Sequence, residues 1–307
     1  MTSVRAQGRS RREESGRAHE QESVHVPVMV HEVIDALALQ KGQLVLDATY
    51  GQGGHSVALK KAARIKLIGL DADPAMVGRA KSGVVNANFA DLAHVAGDLG
   101  ITRFDRALFD LGWNRGQLSG GRGFSFMRDE PLLMSYGAQP RSGFFARDIL
   151  NNWSEKAIAD ALYGYGEERY ARPIARAVVE RRALAPIHTT FELVEIIRDA
   201  VPRRYLHGKV HFATRTFQAL RIATNDELRA LHDGLSSAWK LLGCGGRLVV
   251  ITFHSIEDRV VKQLLKTFAA HNGKLLYKKP LVPTRAEIIR NPASRSAKLR
   301  AIEKVCR

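Results

Sequence analysis

Three aspartates in this chain each end a short apolar run: Asp47 ends LVLD, Asp71 ends KLIGLD and Asp110 ends ALFD. Such runs, bounded by turn residues, are typical of buried parallel strands. In an open α/β sheet the ligand binds outside the carboxyl ends of the strands, near the point where the strand order reverses. We therefore expect the three carboxylates at one edge of a sheet, where they could hold the polar groups of a ligand.

A glycine-rich turn follows the first of these strands. Gly51, Gly53 and Gly54 lie between that strand and a helical pattern that begins near His55. Glycine lets the backbone bend sharply and approach a ligand closely, because no side chain intervenes. An acid at the tip of the second strand, where Asp71 lies, can bind both hydroxyls of an adenosine ribose. The strand, turn and helix therefore predict a cradle for an adenosine-containing ligand.

The order of the glycines separates two such ligands. A dinucleotide site needs Gly-x-Gly-x-x-Gly, so that a pyrophosphate can lie at a helix N-terminus. Here Gly53 and Gly54 are adjacent and His55 follows, while Asp47 would repel a pyrophosphate and suits an ammonium group. These residues favour S-adenosylmethionine, which carries an amino group and no phosphate, over NAD. A glycine turn that only lets a helix pack on the sheet is the remaining alternative.

Other candidate residues allow two interpretations each. Phe89, near the end of a third predicted strand, could flank an adenine or belong to the core. His254 follows the fifth predicted strand and could act as a base or bind a phosphate, although a lone histidine is more often structural. The glycine-rich loop 113–127 has aromatic rings and arginines that fit a single-stranded base, or it is an ordinary long loop.

The elements that position these residues form an α/β pattern interrupted by helices. We predict strands over 44–46, 66–70, 86–90, 104–112, 247–253, 275–279 and 299–305. From about 148 to 199 apolar residues recur at helical spacing, which predicts a helical insert. Five arginines lie along its second helix and could contact phosphates or form a solvated face: Arg169, Arg172, Arg176, Arg181 and Arg182.

The charge of the chain favours a polyanionic partner. It has 47 Lys and Arg residues against 31 Asp and Glu residues, a formal charge of +16. Nucleic acid is the partner that such a surplus most often indicates, and general basicity that keeps the protein soluble is the alternative.

Composition also excludes several classes of protein. No apolar run approaches the roughly 20 residues of a membrane span, and the N-terminus has no secretory signal. Residues 1–23 are predicted to be a disordered tail. Cys244 and Cys306 are too few for a disulfide framework or a zinc site, and no His, Cys and Asp cluster has ligand spacing, so we predict no metal. A cytoplasmic location is the simplest expectation.

Taken together, these motifs resemble the bacterial small-subunit ribosomal RNA cytosine-N4 methyltransferase family. The segments that carry the resemblance are DATYGQGGHS at 47–56, GLDADP at 69–74, DLG at 110–112, GRGFSF at 121–126, YGEER at 165–169, TRTFQALRI at 214–222, FHSIEDR at 253–259 and NPASRSAKLR at 291–300.

The resemblance implies a fold and a reaction. The fold would be an α/β, Rossmann-like methyltransferase sheet, mostly parallel with an antiparallel last strand, carrying an inserted all-α domain. The methyltransferase domain would span 24–125 and 212–307, and the insert, 126–211, would recognise RNA. S-adenosylmethionine would be the donor and a cytidine in the decoding region the acceptor, in free ribosomal RNA or an assembled small subunit. The resemblance also allows a homodimer.

The family's cofactor positions fall on residues of matching type, namely Gly53, Gly54, His55, Asp71, Phe89, Asp110 and Gln117. For the acceptor, we expect Asp110 to bind the hydrogens of the cytosine amine, with Asn114 as a weaker helper. The chain departs from the family pattern at 113–115, 133–136 and 211–213. All three departures lie on the acceptor side, which leaves a non-catalytic RNA-binding or ribosome-assembly factor as the alternative function.

Overall fold

A computed structural model describes residues 26–78, 80, 83–112 and 120–306. The predicted tail, Asn114 and Gln117 lie outside these residues.

A seven-stranded mixed sheet is the frame of the molecule. Its strands are β1 (Leu44–Asp47), β2 (Lys66–Asp71), β3 (Val84–Asn86), β4 (Phe104–Asp110), β5 (Leu242–Thr252), β6 (Gly273–Leu275) and β7 (Lys298–Lys304). Their order is β3-β2-β1-β4-β5-β7-β6. Strands β1 to β5 pair in parallel, and β7 pairs antiparallel with both β5 and β6. The predicted α/β sheet, mostly parallel with an antiparallel last strand, is confirmed.

Two predicted strands, the third and the sixth, overlap the observed strands at only one residue each. The third strand ends at Asn86, and Phe89 instead begins a short 3-10 turn. The side chain of Asn88 accepts a hydrogen bond from the Ala90 amide at 2.9 Å, which caps the turn. The sixth strand was expected over 275–279 and spans Gly273–Leu275; beyond it an isolated bridge, between Leu281 and Leu299, still pairs this segment with β7.

Helices cover both faces of the sheet. Those of the sheet domain are α1 (Val30–Leu37), α2 (Gly54–Ala62), α3 (Pro74–Val77), α4 (Leu92–Asp98), α11 (Glu227–Leu241), α12 (Ser255–His271) and α13 (Arg285–Arg290). Successive residues of a strand point to opposite faces, so Val45 packs with α1 and α2 while Leu46 packs with α4, α11 and α12.

The helical insert has a core of its own. Its helices are α5 (Ala146–Asn152), α6 (Glu155–Gly166), α7 (Ala171–Leu184), α8 (Thr190–Ala200) and α9 (Arg203–Leu206), followed by α10 (Thr214–Asn225). Phe217 and Leu220 of α10 pack in this core, as does Phe124. The core therefore draws on residues on both sides of 126–211, and those limits stay a prediction.

Cys244 and Cys306 are paired as a disulfide, with their Cα atoms 5.4 Å apart. The pair joins the first part of β5 to the second residue after the end of β7. None of the helices in the part of the chain that the structure describes is both long and apolar enough to cross a membrane.

Candidate functional site

An open cavity of about 130 Å³ lies at the carboxyl ends of β1, β2 and β4. Strand β1 has β2 on one side and β4 on the other, so this is the point at which the strand order reverses. The cavity is lined by Thr49, Gly51, Asp71, Phe89, Asp110 and Tyr136, among others. Two of the three aspartates that end predicted strands are therefore brought together here.

The carboxylate of Asp71 holds the glycine turn. Its Oδ2 accepts a hydrogen bond from the Gly51 amide at 2.7 Å, and its Oδ1 accepts one from the Asp73 amide at 2.8 Å. Burial raises the pKa of Asp71 above its ordinary value, although both amides oppose this. Each oxygen has a second lone pair, so the carboxylate can still accept hydroxyl groups from the cavity.

The turn itself depends on glycine at two positions. Gly51 and Gly53 have φ angles of 54° and 76°, a region that side chains disfavour. A Cβ on Gly53 would also lie 2.6 Å from the Tyr50 hydroxyl. Gly53 lines neither of the cavities at this edge of the sheet, so its part is to shape the turn.

Asp110 and His55 lie next to each other in the lining of a second cavity of about 250 Å³. This cavity shares Thr49, Gly51, Asp110 and Gly112 with the first and adds Gly54, His55 and Phe253. His55 Nδ1 lies 3.4 Å from Asp110 Oδ2, and His55 Nε2 lies 2.9 Å from the Val28 carbonyl, to which it donates. The Gly112 amide donates to Asp110 Oδ1 at 3.1 Å.

Asp47 does not belong to this group, contrary to the sequence prediction. Its side chain is 1% exposed and lines neither cavity. Ser56 Oγ donates to Asp47 Oδ2 at 2.6 Å, and burial raises the pKa of Asp47. The carboxylate points inward and ties α2 to β1. The ammonium group of a ligand would therefore have to bind another acid of the cavities, not Asp47.

Phe89 both lines the cavity and packs on the core. Its ring meets Phe109 edge to face, with centroids 5.6 Å apart and planes at 68°. Helix α11 passes so close at Gly234 that a Cβ there would lie 2.6 Å from Phe89 Cδ2. The ring therefore belongs to the core and is held at the cavity wall, and its contact with an adenine stays a prediction.

A buried polar network forms the far wall, and the sequence did not indicate it. Tyr136 Oη donates to Glu227 Oε1 at 2.9 Å, and Arg221 Nε lies 2.7 Å from the same oxygen. His254 Nε2 lies 2.9 Å from Glu257 Oε1 and 3.4 Å from Arg221 Nη2. Burial raises the pKa of Tyr136 well above its ordinary value.

Three members of this network, Glu227, His254 and Glu257, could together offer ligand atoms to a metal ion. Arg221 is 4% exposed and already places its guanidinium against both carboxylates, 2.7 Å from Glu227 and 3.9 Å from Glu257. This arrangement favours His254 as a structural residue.

A third cavity, of about 280 Å³, lies behind Phe253 and is largely aromatic. Phe124, Phe126, Phe217 and Phe253 line it, and His254 and Gln218 supply polar atoms. Because Phe253 also lines the second cavity, the aromatic cavity adjoins the one that holds Asp110. Phe124 and Phe126 come from the GRGFSF segment.

Comparison with known proteins gives consistent matches. The model of one family, described as the MraW methylase family, matches residues 22–305. The Ribosomal RNA small subunit methyltransferase H of Rhodospirillum centenum is 41% identical over 309 residues, 92% of each chain. Its namesake from Deinococcus radiodurans is 43% identical over 288 residues, 91% of this chain and 89% of the relative. The solved structure of an rRNA methylase from Streptococcus thermophilus aligns at 12% identity and a TM-score of 0.42, covering 90% of this chain and 96% of that one.

Proposed function

The chain belongs to the MraW methylase family, and from that premise we propose that it transfers a methyl group from S-adenosylmethionine to the exocyclic N4 of a cytidine in small-subunit ribosomal RNA. The observation that carries the proposal is the cavity in which Asp71, Phe89 and Asp110 meet beside the glycine turn. The named relatives are small-subunit ribosomal RNA methyltransferases, and the motif resemblance supplies the cytosine acceptor. We place the activity in the cytoplasm, where small subunits are assembled.

The residues of the first two cavities fit this cofactor. Asp71 offers two carboxylate oxygens to a ribose diol, and Phe89 offers a rigid ring to an adenine. The turn at Gly51 and Gly54 lets the backbone approach the amino-acid end closely. No pyrophosphate is needed to satisfy these groups, which favours S-adenosylmethionine over NAD.

Asp110 is the residue that we assign to the acceptor. S-adenosylmethionine, when bound, supplies a methyl group on a positively charged sulfur. The cytosine amine is a weak nucleophile because its lone pair is delocalised into the ring, so positioning must supply much of the rate. Asp110 can accept a hydrogen of that amine, which localises the lone pair, and can take the proton that the nitrogen releases after methylation. Its hydrogen bond from the Gly112 amide fixes the carboxylate for this role.

The test combines labelled cofactor with an isosteric substitution. Small subunits from cells that lack this methylation are incubated with the protein and methyl-labelled S-adenosylmethionine, then digested to nucleosides. Label on N4-methylcytidine is expected with the wild type and with Asp98→Asn, a control on the exposed surface. Asp110→Asn should bind cofactor and lose at least about 100-fold in transfer rate.

Two outcomes would count against the proposal. Label on another nucleoside would show that the acceptor is not cytidine N4. Cofactor binding without label in any ribosomal RNA would support the alternative function, a non-catalytic assembly factor.

A further inference from the structure

A fourth cavity, of about 240 Å³, lies in the helical part of the molecule and is strongly basic. Four cationic side chains line it, Arg169, Arg204, Lys209 and Arg215, together with His211. Among the residues that the structure describes, no carboxylate lines this cavity. Of the residues in this cluster, only Arg169 was a candidate phosphate contact in the sequence analysis, because the members of the cluster come from separate segments of the chain.

In the part of the chain that the structure describes, no carboxylate lies within ion-pair distance of the four cations of this cavity, although Arg215 helps to lower the pKa of Glu167. Arg204 and Lys209 are exposed. Arg215 Nη1 donates to the Glu167 carbonyl at 3.0 Å, while the Glu167 carboxylate is bound by Arg259 at 2.6 Å. The positive charge therefore remains available to an anion.

Rigid contacts hold one wall of the cavity in place. The Arg169 guanidinium lies 5.2 Å from the centre of the Tyr205 ring, and Tyr205 Oη donates to the buried Glu168 at 2.7 Å. Burial, with Glu168, raises the pKa of Tyr205 to about 12, so the hydroxyl keeps its proton near neutral pH. An arginine held on an aromatic face is preorganised to bind an anion.

The basic cavity adjoins the aromatic one. The His211 ring, whose pKa burial lowers, stacks on Phe126 with centroids 4.4 Å apart and planes 3° apart. Phe126 lines the aromatic cavity, which reaches Phe253 and, past it, Asp110. Aromatic walls stack nucleobases and arginines bind phosphates. The aromatic cavity could therefore take a base while the basic cavity beside it takes a neighbouring phosphate of the same strand.

The arginines of helix α7 fit this role less well. Arg181 and Arg182 donate to the carbonyls of Ala185 and Leu150. Arg172 and Arg176 line an open cavity of about 510 Å³ that also contains Glu180 and Asp199, whose charges would repel a phosphate.

We propose that the cavity formed by Arg169, Arg204, Lys209 and Arg215 binds a backbone phosphate of single-stranded RNA beside the nucleotide whose base enters the aromatic cavity. This inference rests on the proposed function, since the phosphate belongs to the same RNA strand as the nucleotide that is methylated.

The test compares two double substitutions that remove equal charge. Arg204→Gln with Lys209→Gln alters the cavity, and Arg172→Gln with Arg176→Gln alters the same helical segment outside it. The probe is a fluorescein-labelled oligocytidylate of about ten nucleotides, titrated at several KCl concentrations. All four side chains are exposed, so both proteins should fold, and binding of S-adenosylhomocysteine checks this.

The cavity variant should bind the oligonucleotide about tenfold more weakly, because a lost charge-assisted hydrogen bond is worth at least that factor. Its plot of log affinity against log salt should flatten by about 0.7 for the one phosphate. The matched variant should stay within about twofold of the wild type. Equal weakening of both variants, no weakening of either, or a wild type that does not bind would overturn the assignment.

Methyl transfer by the same proteins separates this inference from the proposed function. A wild type that binds through the cavity but methylates no small subunit would overturn the proposed function and leave the phosphate site standing. A cavity variant that methylates small subunits with unchanged KM would overturn the phosphate site and leave the function standing.

Discussion

The carboxylate of Asp71 binds the glycine turn and faces the cavity at the same time. Its two oxygens accept the amides of Gly51 and Asp73, and the side chain lines the first cavity. A single residue therefore shapes the turn and, in the proposed function, binds the ribose. This double use explains why the acid stands at a strand tip, where a neutral side chain could not satisfy both amides.

We predict that Asp71→Asn weakens S-adenosylhomocysteine binding at least about tenfold, because an amide offers one acceptor oxygen where two charged ones are needed. Isothermal titration calorimetry of the purified protein measures this, with Asp98→Asn as the surface control. An affinity within about twofold of the wild type would show that the ribose is bound elsewhere.

Single residues also show which parts of the site could be predicted from the sequence. Asp71 and Asp110 were placed correctly at one sheet edge because apolar runs predict strands and strand ends meet. Asp47 has the same pattern but turns inward to Ser56, and the pattern contains nothing that distinguishes inward from outward. The bond between Tyr136 and Glu227 spans 91 residues of the chain, so only the folded structure reveals that wall.

At the scale of elements, close helix packing joins the insert to α10. Gly166, near the end of α6, faces the backbone of α10: a Cβ there would meet the Arg215 carbonyl oxygen and lie 3.2 Å from the Ala219 Cβ. Gly164, in the same helix, has nothing within 4 Å of its own Cβ position. Two glycines two residues apart thus have opposite environments.

This contrast predicts opposite effects of the same substitution. Gly166→Ala should lower the free energy of unfolding by about 1–3 kcal/mol, because the helices must separate. Gly164→Ala should raise it by about 0.5–1 kcal/mol, because alanine favours the helix. Urea denaturation of both variants is the measurement, and a Gly166→Ala protein as stable as the wild type would contradict the close packing.

An ion pair ties helix α12 to strand β7. Arg300 Nε donates to Asp258 Oδ1 at 2.7 Å, and Lys298 Nζ lies 3.5 Å from Oδ2. Burial alone would raise the pKa of Asp258, but Arg300 and Lys298 outweigh it and lower the pKa below the ordinary 3.8. A depressed folded-state pKa stabilises the protein above 3.8, and this contribution is lost as the pH falls through the folded value.

We therefore expect Asp258→Asn to lose about 2 kcal/mol of stability at pH 7, between the values for exposed and buried pairs. The difference from the wild type should shrink as the pH falls below 3.8. Asp233→Asn, which breaks an exposed pair with Arg229, should change stability by less than about 0.5 kcal/mol. Urea denaturation at several pH values tests this, and a loss that does not vary with pH would refute the electrostatic explanation.

The sequence predicted the type of each element more accurately than the residues at which it begins and ends. The fifth strand was expected over 247–253 and begins at Leu242, because Leu242 pairs with Phe104 of β4 across an irregularity that separates this pair from the rest of the ladder. The third strand was misplaced because Phe89 and Ala90 look apolar enough for a strand. The hydrogen bond from the Ala90 amide to the Asn88 side chain stabilises a 3-10 turn there. A pattern of apolar residues does not predict such a cap.

At the scale of the whole molecule, two cores meet at the functional site. The sheet supplies Asp71 and Asp110, and the segment that precedes helix α5 supplies Tyr136, whose amide donates to Asn225 Oδ1 of α10 at 3.0 Å. The first cavity lies on the sheet, whereas the basic cavity lies on the helical part of the molecule. In the proposed function this division gives the donor to one core and the RNA strand to the other.

The disulfide adds a constraint across the sheet that depends on the redox state of the solution. Cys244 and Cys306 are 62 residues apart in the chain and both are exposed. Closing a loop of that length removes freedom from the unfolded chain, worth about 4 kcal/mol in the chain-entropy model. A protein that works in a reducing cytoplasm would carry the two thiols instead.

Dithiothreitol should therefore lower the Tm of the oxidised wild type by several degrees, as expected when about 4 kcal/mol is lost from a chain of this size. Cys306→Ser should melt at the temperature of the reduced wild type and should not respond to the reductant. Methyl transfer should be the same in both redox states, because the pair lies on β5 and β7, whereas the acids of the cavity end β2 and β4. Equal Tm values with and without dithiothreitol, in protein shown by mass spectrometry to be oxidised, would mean that the unfolded chain is already compact enough for the link to cost it no freedom.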